Sequence, residues 1–533
     1  MPPPAPTPPG RARLLSALLF GGLALLGLLT FRDYGMAWDD FLMRTELAIP
    51  LFRFLGDPLH VPLSLGLATY HGPALEMVET GLERLLGLEE PRTVFLYRHL
   101  FMYAVFLAGL WGLYRASRRW FPDPSRALLP VVFLVLQPRI YADAFYNGKD
   151  VGFLAVLCLA LWTGERFRER PADPRRLLVH AFACGFLVGV RVIGLALPFA
   201  DFCLVLLPGI LAAAPAARRR AAGAAAVFTA ATYAFTVLCW PSLWIKPVRG
   251  LWEAVADNAR FSWKGAVLYG GRYLPADRLP WHYLPRWIGI TTPLALLALG
   301  AAGAAVLAVK ATRRNDPHRG LLPRLMLVCL PAPFIAIALR STLYDGWRHF
   351  YYLSAPLAVC AAWGFWAARD ALALRAPRLR MPFAGAVACL LGVTAVEMAV
   401  LHPYQNLYFN ELLGRDWSQR ETRYEMDYWG LTYLEALRGL LALDPAPRLK
   451  VWATTADCAY SANLLTPAER ARLQFLAKPE GADYLITNYR WRPAGFTLPE
   501  VYAVKIYGAR VISILKAPPV PPAAPAAPAA PPG

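Results

Sequence analysis

Apolar runs of about 20 residues, the length at which a helix crosses a bilayer, recur along this chain and alternate with short polar gaps. They fall near 14–31, 93–114, 127–142, 150–163, 177–191, 194–216, 221–240, 286–309, 325–340, 350–368 and 382–401, and the shorter ones can be accommodated by tilt or a thinned bilayer. The pattern predicts an α-helical polytopic membrane protein of about eleven transmembrane helices over 14–401. Beyond the last run the period changes. "PRLKVWATT", "ADYLITNYR" and "VYAVKIYGARVISILK" have strand-like composition, and "LTYLEALRGLLAL" has helical spacing, so a small C-terminal α/β domain is expected over 402–517. The Pro/Ala tail over 518–533 cannot build a core and is expected to be disordered.

Composition agrees with this reading. With 57% hydrophobic and 17% charged residues, and a mean hydropathy of +0.37, the chain is too apolar for an ordinary soluble enzyme. The first run has the basic flank of a leader, but no small-residue cleavage site follows it, so it reads as a retained helix. A net charge of +19 raises the question of nucleic acid. The basic residues, however, sit in "RASRRWFPDPSR", "ERFRERPADPRR", Arg218 to Arg220, "KATRRNDPHRGLLPR" and "ARDALALRAPRLR", and no base-reading motif accompanies them. No nucleic-acid partner is expected.

By the positive-inside rule those gaps and the Pro-rich residues 1–13 face the cytoplasm, whereas the long loops 32–92 and 241–285 and the C-terminal domain are extracytoplasmic. The expected location is a multi-pass protein of the inner (cytoplasmic) membrane. Seven of the eight cysteines lie in apolar runs and only Cys458 in the polar part, which leaves no intrachain disulfide framework there.

The candidate chemistry lies at the outer ends of the spans. Asp39 and Asp40 in "GMAWDDFLMRTEL" adjoin the first span, where carboxylates are costly unless water or a partner meets them. The plain alternative is a pair of first-turn acids, with Asp40 reaching Arg44 at i+4. His71 shares their loop, ahead of Pro73, and serves there as a loop hydrogen-bonder or as a ligand. "YADAFYNGKDVGFLAV" puts Asp143, Lys149 and Asp150 at the boundary, where Asp150 is either functional or a helix cap. Arg191 interrupts apolar sequence where two spans meet. In "DGWRHFYY", Arg348 and His349 open a span and suit a lipid-linked phosphate, and Tyr351 joins them unless the tyrosines are only an aromatic belt. No Walker loop, GxGxxG, HExxH or CxxC is present, which removes the usual support for nucleotide-driven transport, dinucleotide redox and thiolate zinc.

In order, these motifs resemble those of the membrane-embedded GT-C glycosyltransferases of the protein mannosyltransferase and aminoarabinose-transferase type, glycosyltransferase family 39-like. "AWDDFLMRTELA" stands for the family's first-loop acidic stretch and "HGPAL" for its "HPPL"-like turn. "NGKDVGFLA" stands for the second-loop acid and "WRHFYYLSAPLAV" for the "RY"-like start of a late span. "HPYQNLYFNELLG", "YEMDYWGLTYLEAL" and "ADYLITNYR" look like a bacterial subgroup with an outer α/β domain. Two departures are an Asp where the second acid is commonly Glu, and Gly72 where a first proline is frequent.

The resemblance implies inverting transfer from a polyprenyl-phosphate-linked sugar donor to an envelope acceptor, whether protein, lipid or glycan. It implies Asp39 as general base, with Asp40 orienting the acceptor or a metal. No cofactor is assigned, and a divalent metal is left open. The chemistry is consistent with that assignment. Attack on an anomeric carbon needs a carboxylate for the acceptor proton, and the departing phosphate needs cations, for which Lys149, Arg191 and Arg348 are available. The alternative from another class is a transporter or lipid flippase using Asp39, Asp150 and Arg191 as a relay; a noncatalytic scaffold is a third.

Overall fold

Apolar length translates into helices. In the computed structural model, which describes residues 9–58, 60, 63, 70–121, 123–259, 261, 263–414, 416–491 and 496–518, eight helical segments are long and apolar enough to cross a membrane. They are Gly10–Thr30, Pro91–Trp120, Val192–Ala212, Pro215–Leu238, Leu294–Thr312, Leu321–Ala338, Arg348–Arg375 and Pro377–Val400. The other three apolar runs are helical too. Run 150–163 is the helix Asp150–Glu169, buried along most of its length, and run 177–191 is Pro174–Val190. Run 127–142 is broken into Leu129–Val135 and Pro138–Asp143, because Pro138 offers no N–H to the preceding turn and holds Gln137 in extended backbone. The protein is a multi-pass membrane protein. Residues 1–8 of the Pro-rich N terminus and the tail from 519 onward lie outside the described residues.

Glycine sets the closest helix contacts, where the absence of a side chain lets backbones meet. A Cβ on Gly303 would run into the Cys360 carbonyl and one on Gly364 into that of Leu299, so Leu294–Thr312 and Ser354–Arg375 are locked together. Loop 241–285 contains the helices Ser242–Ile245 and Pro247–Ala259 and a hairpin of β1 (Ala266–Tyr269) and β2 (Arg272–Pro275). Gly270 and Gly271 supply the two positive φ angles of its turn.

The chain divides into two compact units, one of Met1–Tyr34 with Asp39–Arg415, the other of Gly35–Trp38 with Asp416–Gly533. The expected boundary at 402 therefore moves to 416. Residues 402–414 pack with the membrane helices, where Asn410 donates from its side chain to the Gly289 and Thr292 carbonyls (2.6 and 2.7 Å) and Arg139 Nε donates to the Tyr408 carbonyl (3.0 Å).

The second unit is a mixed five-stranded sheet of order β4-β3-β5-β7-β6, with β3 Leu449–Ala453, β4 Leu473–Phe475, β5 Tyr484–Thr487, β6 Glu500–Ile506 and β7 Ala509–Lys516. β3 runs parallel to β4 and β5, while β7 is antiparallel to β5 and β6. The helix Tyr433–Leu443 carries the expected apolar face. Gly35–Trp38 is threaded into this unit. The Trp38 N–H donates to the Trp429 carbonyl (3.2 Å), and a Cβ on Gly35 would collide with the Leu431 backbone.

Candidate active site

Four charged side chains from distant parts of the chain meet because each stands at the end of an element. Asp39 is in the first turn of Trp38–Leu42, Asp150 opens Asp150–Glu169, Arg191 caps Pro174–Val190 in extended backbone, and Arg348 opens Arg348–Leu353. Arg348 is the hub. Its Nη1 donates to Asp39 Oδ2 (3.1 Å) and to Asp150 Oδ2 (3.2 Å), while its Nε donates to Asp345 Oδ2 (3.1 Å). Arg191 Nη1 forms an ion pair with Asp150 Oδ1 (2.7 Å) and donates to the His349 carbonyl (3.3 Å).

Exposure separates the carboxylates. The Asp150 side chain is fully buried, at 0%, while that of Asp39 is 29% exposed. The cap at this helix start is Asn147, whose Oδ1 accepts from the Asp150 N–H (2.8 Å) while its Nδ2 donates to Asp150 Oδ2 (3.0 Å) and Asp143 Oδ2 (2.9 Å). The Asp150 carboxylate is thus turned away from its own helix and toward the arginines.

Lys149 Nζ donates to the Gly72 carbonyl (2.5 Å), and burial pushes its ammonium down to about 8 although Glu76 draws it the other way. An aromatic wall stands beside the hub. Tyr344 lies over the Arg348 guanidinium (4.9 Å), meets His349 edge-on (4.8 Å) and stacks with Phe261 (6.4 Å), whose ring in turn meets His71 edge-on (5.7 Å). Tyr351 is buried edge-on to Trp347 (4.9 Å). Asp39, Asp150, Arg191, Arg348 and His349 are brought together directly, with His71 reached through the wall.

Asp40 faces elsewhere. Neighbours on a helix point about 100° apart, and Asp40 Oδ1 accepts from Arg98 Nε (2.8 Å) in a second buried network. Arg98 also pairs with Glu76 (2.5 Å) and Glu79 (2.8 Å). Arg44, which the i+4 spacing offers to Asp40, instead pairs with Glu83 (2.6 Å). Burial raises the carboxyl groups of Asp40, Glu76 and Glu79 against the pull of Arg98.

A divalent ion between Asp39 and Asp150 would have to take the seat of Arg348 Nη1, which already lies within 3.2 Å of both. Those residues do not fit a bridging metal. Among the described residues, the side chains that converge with metal-type donors are His180, Cys184 and Asp201. There the imidazole Nε2 meets Asp201 Oδ2 (2.9 Å), and Arg324 holds the other carboxylate oxygen (2.9 Å), so the donors already satisfy one another.

Sequence reasoning passed over Asp345, Tyr344, Asn147 and the Arg98 network. Asp345 stands three residues before Arg348, and Asp345 and Gly346 take positive φ. That Asp-Gly turn was the available signal for a carboxylate aimed at the arginine.

No protein-family model matches the chain, and no curated protein matches it by sequence. Solved structures do. The chain is similar to ArnT from Cupriavidus metallidurans in the apo state, with TM-score 0.50 and 14% identity over 94% of this chain and 98% of that one. Two further structures are the Archaeoglobus fulgidus oligosaccharyltransferase complex with Zn and sulfate (TM-score 0.48, 14% identity, 90% of this chain and 68% of that one) and the arabinofuranosyltransferase AftD from Mycobacteria (0.43, 16%, 94% and 40%). The ArnT match runs nearly the whole length of both chains, and with the helical count and the small C-terminal sheet it gives the chain the GT-C fold.

Proposed function

We propose that the protein is an inverting glycosyltransferase that moves a sugar from a polyprenyl-phosphate donor to an acceptor hydroxyl on the extracytoplasmic face of the inner membrane. The observation that carries this reading is the partly exposed Asp39 carboxylate held 3.1 Å from an arginine that Asp345 and Asp150 fix on its other sides. Asp39 takes the acceptor proton as that oxygen attacks the anomeric carbon. The bond from that carbon to the phosphate oxygen breaks in the same displacement, and polyprenyl phosphate leaves as an anion. Arg348, Arg191 and Lys149 stabilise its growing charge. Asp150 orients the two arginines, and Asp40 serves the Arg98 network instead of the reaction. His71 and His349 line the donor side, and Tyr351 packs in the core against Trp347, the residue before Arg348. Mass spectrometry of envelope glycans, glycolipids and glycoproteins with and without the protein tests the reading; loss of one glycan modification is expected, and an unchanged envelope opposes it.

Arg348→Ala should raise the apparent donor KM by about 10- to 100-fold, the equivalent of the roughly 1.5–3 kcal/mol of a charge-assisted hydrogen bond, and Arg348→Lys should restore only part because the planar fork is lost. An unchanged donor KM in both variants would reduce Arg348 to a structural cation. Lys149 gives a pH dependence. Burial pushes its ammonium down to about 8, so donor affinity should fall as pH rises through that value, and Lys149→Arg should abolish the fall. A donor KM flat from pH 7 to 9 would remove Lys149 from phosphate binding.

A further inference from the structure

We propose that residues 242–259 form an interfacial element seated in the lipid leaflet at the adjoining end of the span Pro215–Leu238, with Trp244, Ile245, Val248, Trp252 and Val255 at the acyl boundary. Among the described residues these five side chains stay 47%, 60%, 74%, 72% and 36% exposed. Within Pro247–Ala259, positions 248, 252 and 255 fall within about 60° of one another at 100° per residue. The opposite face is already used. Gly250 and Ala254 are buried, and Ala254 packs with Trp240 and Leu243 in a small core joined by Tyr70, Val192, Val237 and Leu251. The exposed apolar stripe is therefore a second, separate face, with the character of a helix that lies in a membrane interface.

Two observations select lipid as the occupant. The face continues the lipid-facing surface of the preceding span: Leu238 is 61% exposed, and Trp244 Nε1 donates back to the Val237 carbonyl (2.7 Å), which keeps that indole at the level of the span's end. Basic side chains flank the face as well. Lys246 and Arg249 are exposed beside the stripe, Arg249 paired with Glu253 (2.6 Å), and their aliphatic stems lie where a headgroup layer would begin. The far end of the element is tied to the loop before Arg348, since Ser341 Oγ donates to the Ala259 carbonyl (2.7 Å) and Thr342 Oγ1 to that of Phe261 (2.6 Å). On the transfer reading proposed above, a leaflet-seated helix would thereby hold Arg348 at the height of a lipid-borne phosphate.

The test is spin labelling of the full chain in nanodiscs of phosphatidylethanolamine and phosphatidylglycerol, with Cys203, Cys239 and Cys389, the cysteines that are not buried, replaced by Ser. Nitroxides at Val248→Cys and Trp252→Cys should relax more with oxygen than with a water-soluble nickel chelate, and a nitroxide at Arg249→Cys should show the reverse. Equal nickel access at all three sites would overturn the proposal by placing the stripe in water. Shielding from both reagents, or dipolar broadening between labels, would overturn it in favour of a protein partner or a second copy. These readouts are independent of turnover, so a failed transfer assay and a failed membrane seat are told apart.

Discussion

Asp39→Asn is expected to lower sugar transfer by roughly 10²- to 10⁴-fold, the contribution of a positioned general base, while leaving donor KM and thermal stability close to wild type. Asparagine keeps the shape and can still accept from Arg348, but it cannot take up a proton. Arg348 in the variant retains Asp345 and Asp150 as partners, and the 29% exposure of the Asp39 side chain means that no buried charge is uncovered. Steady-state and single-turnover rates, with a melting curve of the same preparation, separate the outcomes. Near-normal turnover by a folded Asp39→Asn protein would return Asp39 to a structural partner of Arg348. Asp40→Asn should show the opposite profile, a stability defect with a small change in rate, because Asp40 belongs to the Arg98 network.

Arg98→Met should be the most damaging change to stability, by roughly 3–5 kcal/mol, the cost of breaking a buried ion pair on one side. The guanidinium is 1% exposed and serves Asp40, Glu76 and Glu79 together, each of them buried. Their carboxyl groups are raised by burial, and Arg98 is the main influence that draws them back. Without it they rise further, so the folded form binds protons more tightly than the unfolded form. Stability is then greatest in acid and lost as pH rises through the folded values. The deficit of Arg98→Met against wild type should accordingly be smaller at pH 5 than at pH 8, measured by thermal unfolding in the same detergent. A pH-independent deficit would mean that packing, not charge, dominates at this residue.

These two residues show how far the sequence could be read. Asp39, Asp150, Arg191 and Arg348 are visible as charges at the ends of apolar runs, because a charge there needs a partner. Their convergence on one arginine is not visible, since the positions lie up to 309 residues apart. Arg98 was hidden for a different reason. Glu76, Glu79 and Glu83 follow a spacing of three and four, which reads as the wet face of an amphipathic helix, yet that face is buried against Arg98. The available signal was an arginine inside "FLYRHLFMY" with no acid on its own helix.

The spans were legible because length and hydropathy alone specify them. The short strand β4 and the threading of Gly35–Trp38 into the C-terminal unit were not, because three or four residues carry no period. The relay alternative fares poorly on the geometry. It needs Asp150 and Arg191 to exchange partners, whereas each is held by the other at 2.7 Å and Asp150 also by Arg348.

Transfer from a lipid phosphate is measured most directly as donor consumption by the purified protein in lipid bilayers. The protein would be supplied with a panel of undecaprenyl-phosphate-linked sugars and an envelope extract as acceptor, and the products resolved by mass spectrometry. At least one donor should be converted to free undecaprenyl phosphate, its sugar appearing on an acceptor in the inverted anomeric configuration, and the Asp39→Asn protein should fail to convert it. Contradiction would be a folded wild-type protein that moves a donor across the bilayer or binds it, yet leaves the bond between sugar and phosphate intact.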